Sequence, residues 1–130
     1  MLSFSNFGTS GELRTDRIEE AISMARELDN DLIIDGPMQA DTALVPDRQK
    51  EFPFMEFEGS ANVLVCPNLA SANIAYKLLQ RIAGAEMTGP ILEGLAKPAH
   101  VLQRGDSVRQ VVHMAAITAV DAQRHAQQRL

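Results

Sequence analysis

A short turn near the carboxyl end of the chain carries residue types suited to holding an anion. Residues 103–107, Gln-Arg-Gly-Asp-Ser, join a predicted strand end to a predicted helix N-terminus. Free backbone N–H groups and the helix dipole attract negative charge at such a place. Arg104 adds a guanidinium that can pair with phosphate or carboxylate through two hydrogen bonds. An exposed loop arginine is the commoner arrangement, so the residues alone leave both interpretations open.

Two further cations lie four residues apart on a predicted helix. Lys77 and Arg81 are neighbours on a helical surface and flank its apolar stripe rather than belong to it. Together with Arg104 they could hold a polyphosphate. On spacing alone, an ordinary solvated basic face is the favoured interpretation.

Groups able to catalyse acid–base or covalent chemistry are scarce. Cys66 ends a predicted buried strand with no histidine near it in sequence, which is typical of an inert core thiol. His100, His113 and His125 lack the spacing of metal ligands. Asp35, at another predicted strand end, is equally consistent with a functional carboxylate and with a tight turn.

Helical spacing and start and stop signals define the elements that must position these residues. Thr15 or Asp16 caps a helix at about 15–29, and Asn68 caps one that runs to Ile82 and stops at Gly84. Their predicted core faces include Leu28 on the first helix and Ile74, Leu78 and Ile82 on the second. A short helix is expected at about 40–44 and a long loop at 46–60.

The last helix begins at a capping box formed by Ser107 and Gln110. Its predicted core stripe consists of Val108, Val111, Val112, Ala115 and Ala119. Short strands are predicted at 1–6, 31–36, 61–66, 87–93 and 98–102. Strands that alternate with helices predict an α/β fold, a three-layer sandwich with a mostly parallel sheet covered on both faces.

Composition excludes several classes of protein. The 130 residues suffice for one domain or one lobe of a larger protein. A net charge of −5 and the absence of tryptophan argue against a nucleic-acid partner. A single cysteine rules out an internal disulfide and a multi-cysteine metal site, and it favours a reducing, cytoplasmic compartment. Neither a membrane span nor a leader peptide is expected, and the GxGxxG and P-loop fingerprints are absent.

Three sets of segments are spread over nearly the whole chain: DGPMQAD at residues 35–41, ANVLVCPNL and NIAYK within residues 61–77, and GPILEGLAKP at residues 89–98. They resemble the DGxxQxDAA, ANVLxxPxL, NIxYK and GPIxQGxxKP segments of the phosphate acetyltransferases and phosphate butyryltransferases. The resemblance implies one lobe of the two-lobed isocitrate/isopropylmalate-dehydrogenase-like fold, with the ligand cleft between lobes. Because the family's full domain is longer, residues 1–130 are expected to be a single lobe, the C-terminal part of that domain.

Four shorter segments narrow the resemblance to one branch. Residues 5–8, 38–41, 66–68 and 107–114 are similar to the phosphotransacetylase-like C-terminal domain of large bacterial NADP-type malic enzymes. In those proteins the domain is regarded as a sensor of acetyl-CoA. It follows the domains that carry out redox chemistry with NADP and a divalent metal. The resemblance therefore implies acetyl-CoA as an effector and no cofactor held by this lobe.

The departures from the family pattern fall on its catalytic side. Active members have a serine where this chain has Gln103, and an aspartate proposed to activate the CoA thiol where it has Gln110. A glutamine amide cannot accept the thiol proton, so Gln110 cannot act as a general base. The resemblance thus implies no catalytic residue and no metal, but a CoA or phosphate site. Its residues are Arg104, Lys77, Arg81, Gln103 and Ser107.

These observations predict a regulatory, acetyl-CoA-sensing and oligomerisation domain of a malic enzyme, whose upstream domains oxidatively decarboxylate malate to pyruvate. The alternative is the C-terminal lobe of an active phosphate acetyltransferase, which converts acetyl-CoA and phosphate into acetyl phosphate and CoA. A purely structural dimerisation domain is a third interpretation. A homodimer through this lobe is expected, because the family resemblance implies dimers formed through it and because small apolar residues occur on more than one face of the last helix. They are Ala115, Ala116, Ala119 and Ala122.

Overall fold

Five helices occur in the part of the chain that the computed structural model describes, residues 1–8 and 16–127. They are α1 (Asp16–Leu28), α2 (Ala40–Leu44), α3 (Pro46–Gln49), α4 (Leu69–Ile82) and α5 (Val108–Gln127). Proximity of Cα atoms divides the chain into two units, Met1–Tyr76 and Lys77–Leu130. The single lobe expected over residues 1–130 stays a prediction.

The helix predicted at about 15–29 is confirmed as α1. Ile18 and Ile22, one turn apart, are buried, as the apolar spacing predicts. Leu28, in the last turn, was expected on the same face and is instead 89% exposed, because helical spacing marks the apolar face without supplying a cover along its whole length. The predicted cap at Thr15 lies outside the described residues.

The long loop predicted at 46–60 is wrong at its beginning, where the chain forms α3. Proline occupies the first turn of this helix, a position where its missing N–H costs nothing. Gln49, at the end of α3, donates from Nε2 to the carbonyl of Thr42 at 3.1 Å and to that of Gly59 at 2.6 Å. The Gly59 N–H donates back to Oε1 at 3.2 Å. One buried amide therefore closes the base of the remaining loop.

Strand pairing in the described residues is limited to one isolated parallel bridge between Leu2 and Met38. The Ser3 N–H donates to the Met38 carbonyl at 2.8 Å, and the Met38 N–H donates to the Met1 carbonyl at 3.1 Å. On the other side, the Leu2 N–H donates to the Val65 carbonyl at 2.8 Å. The first three residues therefore lie between two later segments of the chain.

None of the five predicted strands forms a regular strand in the described residues, and residues 1–6 contribute only the isolated bridge at Leu2. Ile33 and Val63 were expected to be buried and are 74% and 70% exposed. The physical reason is that a strand depends on its neighbours. An apolar run shows which residues avoid water, whereas the hydrogen-bonding edge and the covering layers must come from other segments. The mostly parallel sheet and the three-layer sandwich stay predictions. The segments concerned are 1–6, 31–36, 61–66, 87–93 and 98–102.

The turn after Asp35 can be made only by glycine. Gly36 has a φ of +129°, and a Cβ at this position would lie 2.5 Å from the carbonyl oxygen of Met1. Side chains are rarely tolerated at such a φ, and a contact this short with backbone leaves no room for one. Gly36 thus allows the first residue and the 36–38 segment to approach closely.

Helix α4 begins and ends where the sequence predicts. The Asn68 Oδ1 caps it by accepting from the Ser71 N–H at 2.9 Å, and Gly84, with a φ of +63°, follows its last turn. The predicted core face is wrong: Ile74 is 62% and Leu78 50% exposed, and no residue of α4 is buried. Helical spacing identifies the face that avoids water without supplying the layer that covers it.

The predicted core face of helix α5 is likewise exposed along most of the helix. Met114 is its buried residue. The predicted core stripe lies elsewhere on the helix and is open to solvent, with Val108 82% and Val112 59% exposed. The stripe is therefore corrected from core to surface in the described part of the chain.

Candidate ligand-binding site

The turn that precedes α5 is held by its own hydrogen bonds. The Asp106 N–H donates to the Gln103 carbonyl at 3.1 Å, and the Gln103 N–H donates to the Asp106 Oδ2 at 2.6 Å. Gly105 supplies the positive φ, +94°, that the turn requires. The backbone around Arg104 is thus fixed, while its side chain is exposed.

The capping box predicted at the start of α5 is confirmed. The Ser107 N–H and Oγ–H both donate to the Gln110 Oε1, at 2.8 and 3.0 Å. The Gln110 N–H donates to the Ser107 Oγ at 3.3 Å, and its Nε2 lies 3.5 Å from the Met87 carbonyl oxygen. Both side chains are therefore committed to the helix terminus. Neither the Ser107 hydroxyl nor the Gln110 amide can accept a proton as a catalytic carboxylate would.

The predicted cations are placed on two elements of the second unit. Arg104 and Arg81 are exposed, and neither side chain makes a hydrogen bond or ion pair within the described residues. Lys77 is exposed on α4, one turn before Arg81. The structure thus brings Gln103, Arg104 and Ser107 into one turn. That Lys77 and Arg81 share a ligand with this turn stays a prediction.

Sequence reasoning missed an ion pair beside the same helix terminus. The Arg109 Nη1 donates to the Glu86 Oε1 at 2.5 Å, and both side chains are about two-thirds exposed, which limits the stability that such a pair contributes. With Gln110 it joins the first turn of α5 to residues 86–87. The partners lie 23 residues apart, so no local pattern predicts the pair.

A second missed group is His100, whose side chain is 1% exposed. Its Nδ1 lies 3.2 Å from the backbone nitrogen of Leu92, and its Nε2 lies 3.0 Å from the Asp121 Oδ2. One ring therefore joins its own segment to two other segments of the second unit. The sequence offered no signal for this contact, because Asp121 is 21 residues away on a helix predicted from its apolar spacing alone.

In the first unit, Asp35 takes the role of a turn residue. Its Oδ1 accepts from the Gly36 N–H at 2.7 Å and its Oδ2 accepts from the Glu56 N–H at 2.8 Å. The Glu56 carboxylate pairs with Arg26 at 3.0 Å. A cavity of about 450 Å³ lies beside these residues. Since backbone donors occupy both oxygens of Asp35, the geometry favours a tight turn over a free carboxylate.

Metal binding and membrane insertion find no support in the described residues. They contain no group of three or more histidine, cysteine, aspartate or glutamate side chains arranged to hold a metal ion. None of their helices is both long and apolar enough to cross a membrane. Cys66 is a half-buried free thiol.

Comparison with known proteins identifies the class to which these features belong. Solved structures with the same fold include a phosphotransacetylase from Streptococcus pyogenes, with a TM-score of 0.87 and 41% identity over 94% of this chain and 37% of that one. The EutD phosphotransacetylase from Staphylococcus aureus gives a TM-score of 0.86 at 38% identity, over 94% of this chain and 38% of its own. The fold is therefore α/β, of the phosphotransacetylase kind.

The family follows from the sequence match. Residues 1–119 match the family described as phosphate acetyl/butaryl transferase, and the chain belongs to that family. It is 46% identical to the phosphate acetyltransferase of Acetivibrio thermocellus over 95% of this chain and 37% of the relative. It is 44% identical to the NADP-dependent malic enzyme of Salmonella typhimurium over 95% of this chain and 16% of the relative. The resemblance to both groups is confirmed, and the chain spans only a minor part of either kind of protein.

Proposed function

We propose that the chain is a regulatory domain that senses acetyl-CoA and supports oligomerisation in a malic enzyme. The parent's other domains would oxidise malate to pyruvate with NADP and a divalent metal, in the cytoplasm. Similarity to an NADP-dependent malic enzyme at 44% identity supports this parent.

The observation that carries the proposal is the state of Gln110. The family resemblance puts an aspartate at this position as the base for the CoA thiol, and a glutamine amide cannot take up a proton. The Gln110 Oε1 is occupied by two donors from Ser107. Arg104 remains exposed in the preceding turn, where a phosphate could pair with it. The binding side of the family's site is thus retained while its acid–base side is lost.

The alternative function is the C-terminal lobe of an active phosphate acetyltransferase. The observation in its favour is the 46% identity to the Acetivibrio thermocellus phosphate acetyltransferase. Under this alternative, residues other than Gln110 would have to accept the proton of the CoA thiol. Residues other than Gln103 would have to do the work of the serine that active family members carry.

The proposed architecture is one lobe of an isocitrate/isopropylmalate-dehydrogenase-like fold, a three-layer sandwich whose cleft lies against a second lobe. The exposed apolar residues of α4 and α5 support it, because such faces are normally covered in a complete protein. We expect a two-fold homodimer through this lobe. Light scattering at roughly tens of micromolar, a concentration at which ordinary interfaces are populated, should give the dimer mass; a monomer would contradict it.

Two assays on the full-length parent distinguish the functions. The first measures malate-dependent NADPH formation with and without acetyl-CoA, and the proposal requires that acetyl-CoA change this rate. The second measures acetyl phosphate formed from acetyl-CoA and phosphate, which the proposal expects to be absent. Robust acetyl phosphate formation would establish the alternative. Failure of acetyl-CoA to bind at all would leave only a structural role for the domain.

A further inference from the structure

The hydrogen bonds of His100 fix the position of its proton. The backbone N–H of Leu92 can only donate, so the Nδ1 atom 3.2 Å away must be unprotonated and accept. A neutral imidazole then carries its proton on Nε2, which donates to the Asp121 Oδ2 at 3.0 Å. The ring is thus held as the Nε2–H tautomer by one donor and one acceptor.

This arrangement leaves the ring no free nitrogen for a ligand. A histidine that serves as a general base needs one nitrogen directed at the reacting group, whereas both nitrogens here are engaged within the protein. The side chain is also 1% exposed, which removes it from direct contact with solvent. A buried histidine satisfied at both ends joins segments together and gives them one geometry.

The three joined segments include the one that leads into the candidate site. Residue 100 lies three residues before Gln103, where the turn that carries Arg104 begins, and Asp121 belongs to α5, whose first turn carries Ser107. Leu92 belongs to the segment at 89–98 that resembles a family motif. Fixing the ring therefore fixes the approach to the turn relative to both neighbours.

We propose that His100 is a positioning residue, held as the neutral Nε2–H tautomer, that sets the backbone entering the 103–107 turn against Leu92 and Asp121. Its effect on acetyl-CoA affinity rests on the proposed function, while its effect on the backbone does not. The ring acts through the position of Arg104 and touches no ligand itself.

The tautomer can be measured directly on the ¹⁵N-labelled 130-residue chain. Long-range ¹H–¹⁵N correlation spectra at neutral pH should show His100 with a protonated Nε2 and an unprotonated Nδ1. A ring protonated on Nδ1, or on both nitrogens, would overturn the proposal. This measurement requires no substitution, so it stands even if a variant fails to fold.

Two substitutions separate the two hydrogen bonds. In His100→Asn the amide oxygen can replace Nδ1 as acceptor from Leu92 but cannot reach Asp121, and in His100→Gln the amide nitrogen can reach Asp121 but cannot serve Leu92. Hydrogen exchange at the Leu92 amide should therefore stay slow in the asparagine variant and become faster in the glutamine variant. His113→Ala is the matched control, since the half-buried side chain of His113 on α5 makes no hydrogen bond within the described residues. Equal exchange in all three variants would refute the positioning role.

Titration with acetyl-CoA tests the effect of His100 on ligand affinity. His100→Gln and His100→Ala should weaken binding about two- to tenfold, the range that corresponds to losing one net hydrogen bond, and His113→Ala should not. If the wild-type chain binds acetyl-CoA and every His100 variant binds it equally well, the positioning role is refuted. If the wild type binds none, the proposed function fails, and the tautomer and the exchange at Leu92 decide the role of His100 by themselves.

Discussion

Ser107 and Gln110 cap one another at the start of α5. The Ser107 Oγ lies 3.0 Å from the Gln110 Oε1 and accepts from the Gln110 N–H at 3.3 Å. The same glutamine stands where the family resemblance puts a catalytic aspartate. Gln110, which cannot accept a proton, therefore serves to cap helix α5.

Gln110→Ala should lower the free energy of unfolding by about 1 kcal/mol. The alanine removes the acceptor for Ser107 and opens the capping box, a loss of that order in helices generally. Urea denaturation of the 130-residue chain gives the measurement. Gln123→Ala, an exposed position on the same helix, is the control and should change stability by less than about 0.5 kcal/mol. Equal stabilities would show that the cap contributes nothing.

Arg104→Ala should weaken acetyl-CoA binding roughly ten- to a hundredfold, because a charge-assisted hydrogen bond to phosphate contributes about 1.5–3 kcal/mol. Calorimetry on the full-length protein measures the affinity. Arg124→Ala is the matched control, since it removes an exposed arginine from α5 far along the helix from the 103–107 turn. An affinity unchanged by Arg104→Ala would remove this residue from the site, and silent Lys77→Ala and Arg81→Ala variants would leave the proposed CoA site without a cation to pair with phosphate.

Gln49→Glu should destabilise the chain by about 1–3 kcal/mol. The glutamate keeps the acceptor for the Gly59 N–H but loses both donors, and it directs oxygen lone pairs at the carbonyls of Thr42 and Gly59. Gln123→Glu makes the same chemical change at an exposed position of α5. Thermal unfolding of the two variants beside the wild type should show a lower Tm for Gln49→Glu alone. Matching Tm values would mean that the loop base is held by other contacts.

The amino terminus of the 130-residue chain should make its stability depend on pH. Burial lowers the pKa of the Met1 amine below its ordinary value of 8.0, and the nearby negative charge of Asp35 opposes this only in part. Between the folded pKa and 8.0 the unfolded state binds more protons, so stability should rise with pH through that window. Acetylating the amine should abolish this increment while keeping an N–H for the Asp35 carbonyl. An identical pH profile after acetylation would contradict the assignment.

Features that depend on neighbouring residues in the chain were predictable. The cap at Asn68, the stop at Gly84 and the capping box at Ser107 follow from which side chains can satisfy the open ends of a helix. Each of these features depends on only a few neighbouring residues, through a local hydrogen bond or a positive φ. The structure has all three where the sequence predicts them.

Features that depend on distant or absent partners were not predictable. Ile74 and Leu78 lie on the apolar face that α4 was expected to bury, yet burial requires another surface, which helical spacing does not specify. His100 and Asp121 meet only because the chain returns to the same place after 21 residues. The candidate site shows the same difference, since the turn around Arg104 follows from its local residues, whereas its relation to Lys77 comes only from the family resemblance and stays a prediction.

Gly36 changes what a shared motif can be taken to mean. With the Met1 carbonyl 2.5 Å from the point where a Cβ would sit, even alanine at this position would force the backbone apart. Natural selection would therefore retain glycine here in relatives that bind entirely different molecules, or none. Within this motif, the identity of residue 36 reports on whether its backbone can approach that of residue 1, and evidence for a shared ligand has to come from other positions.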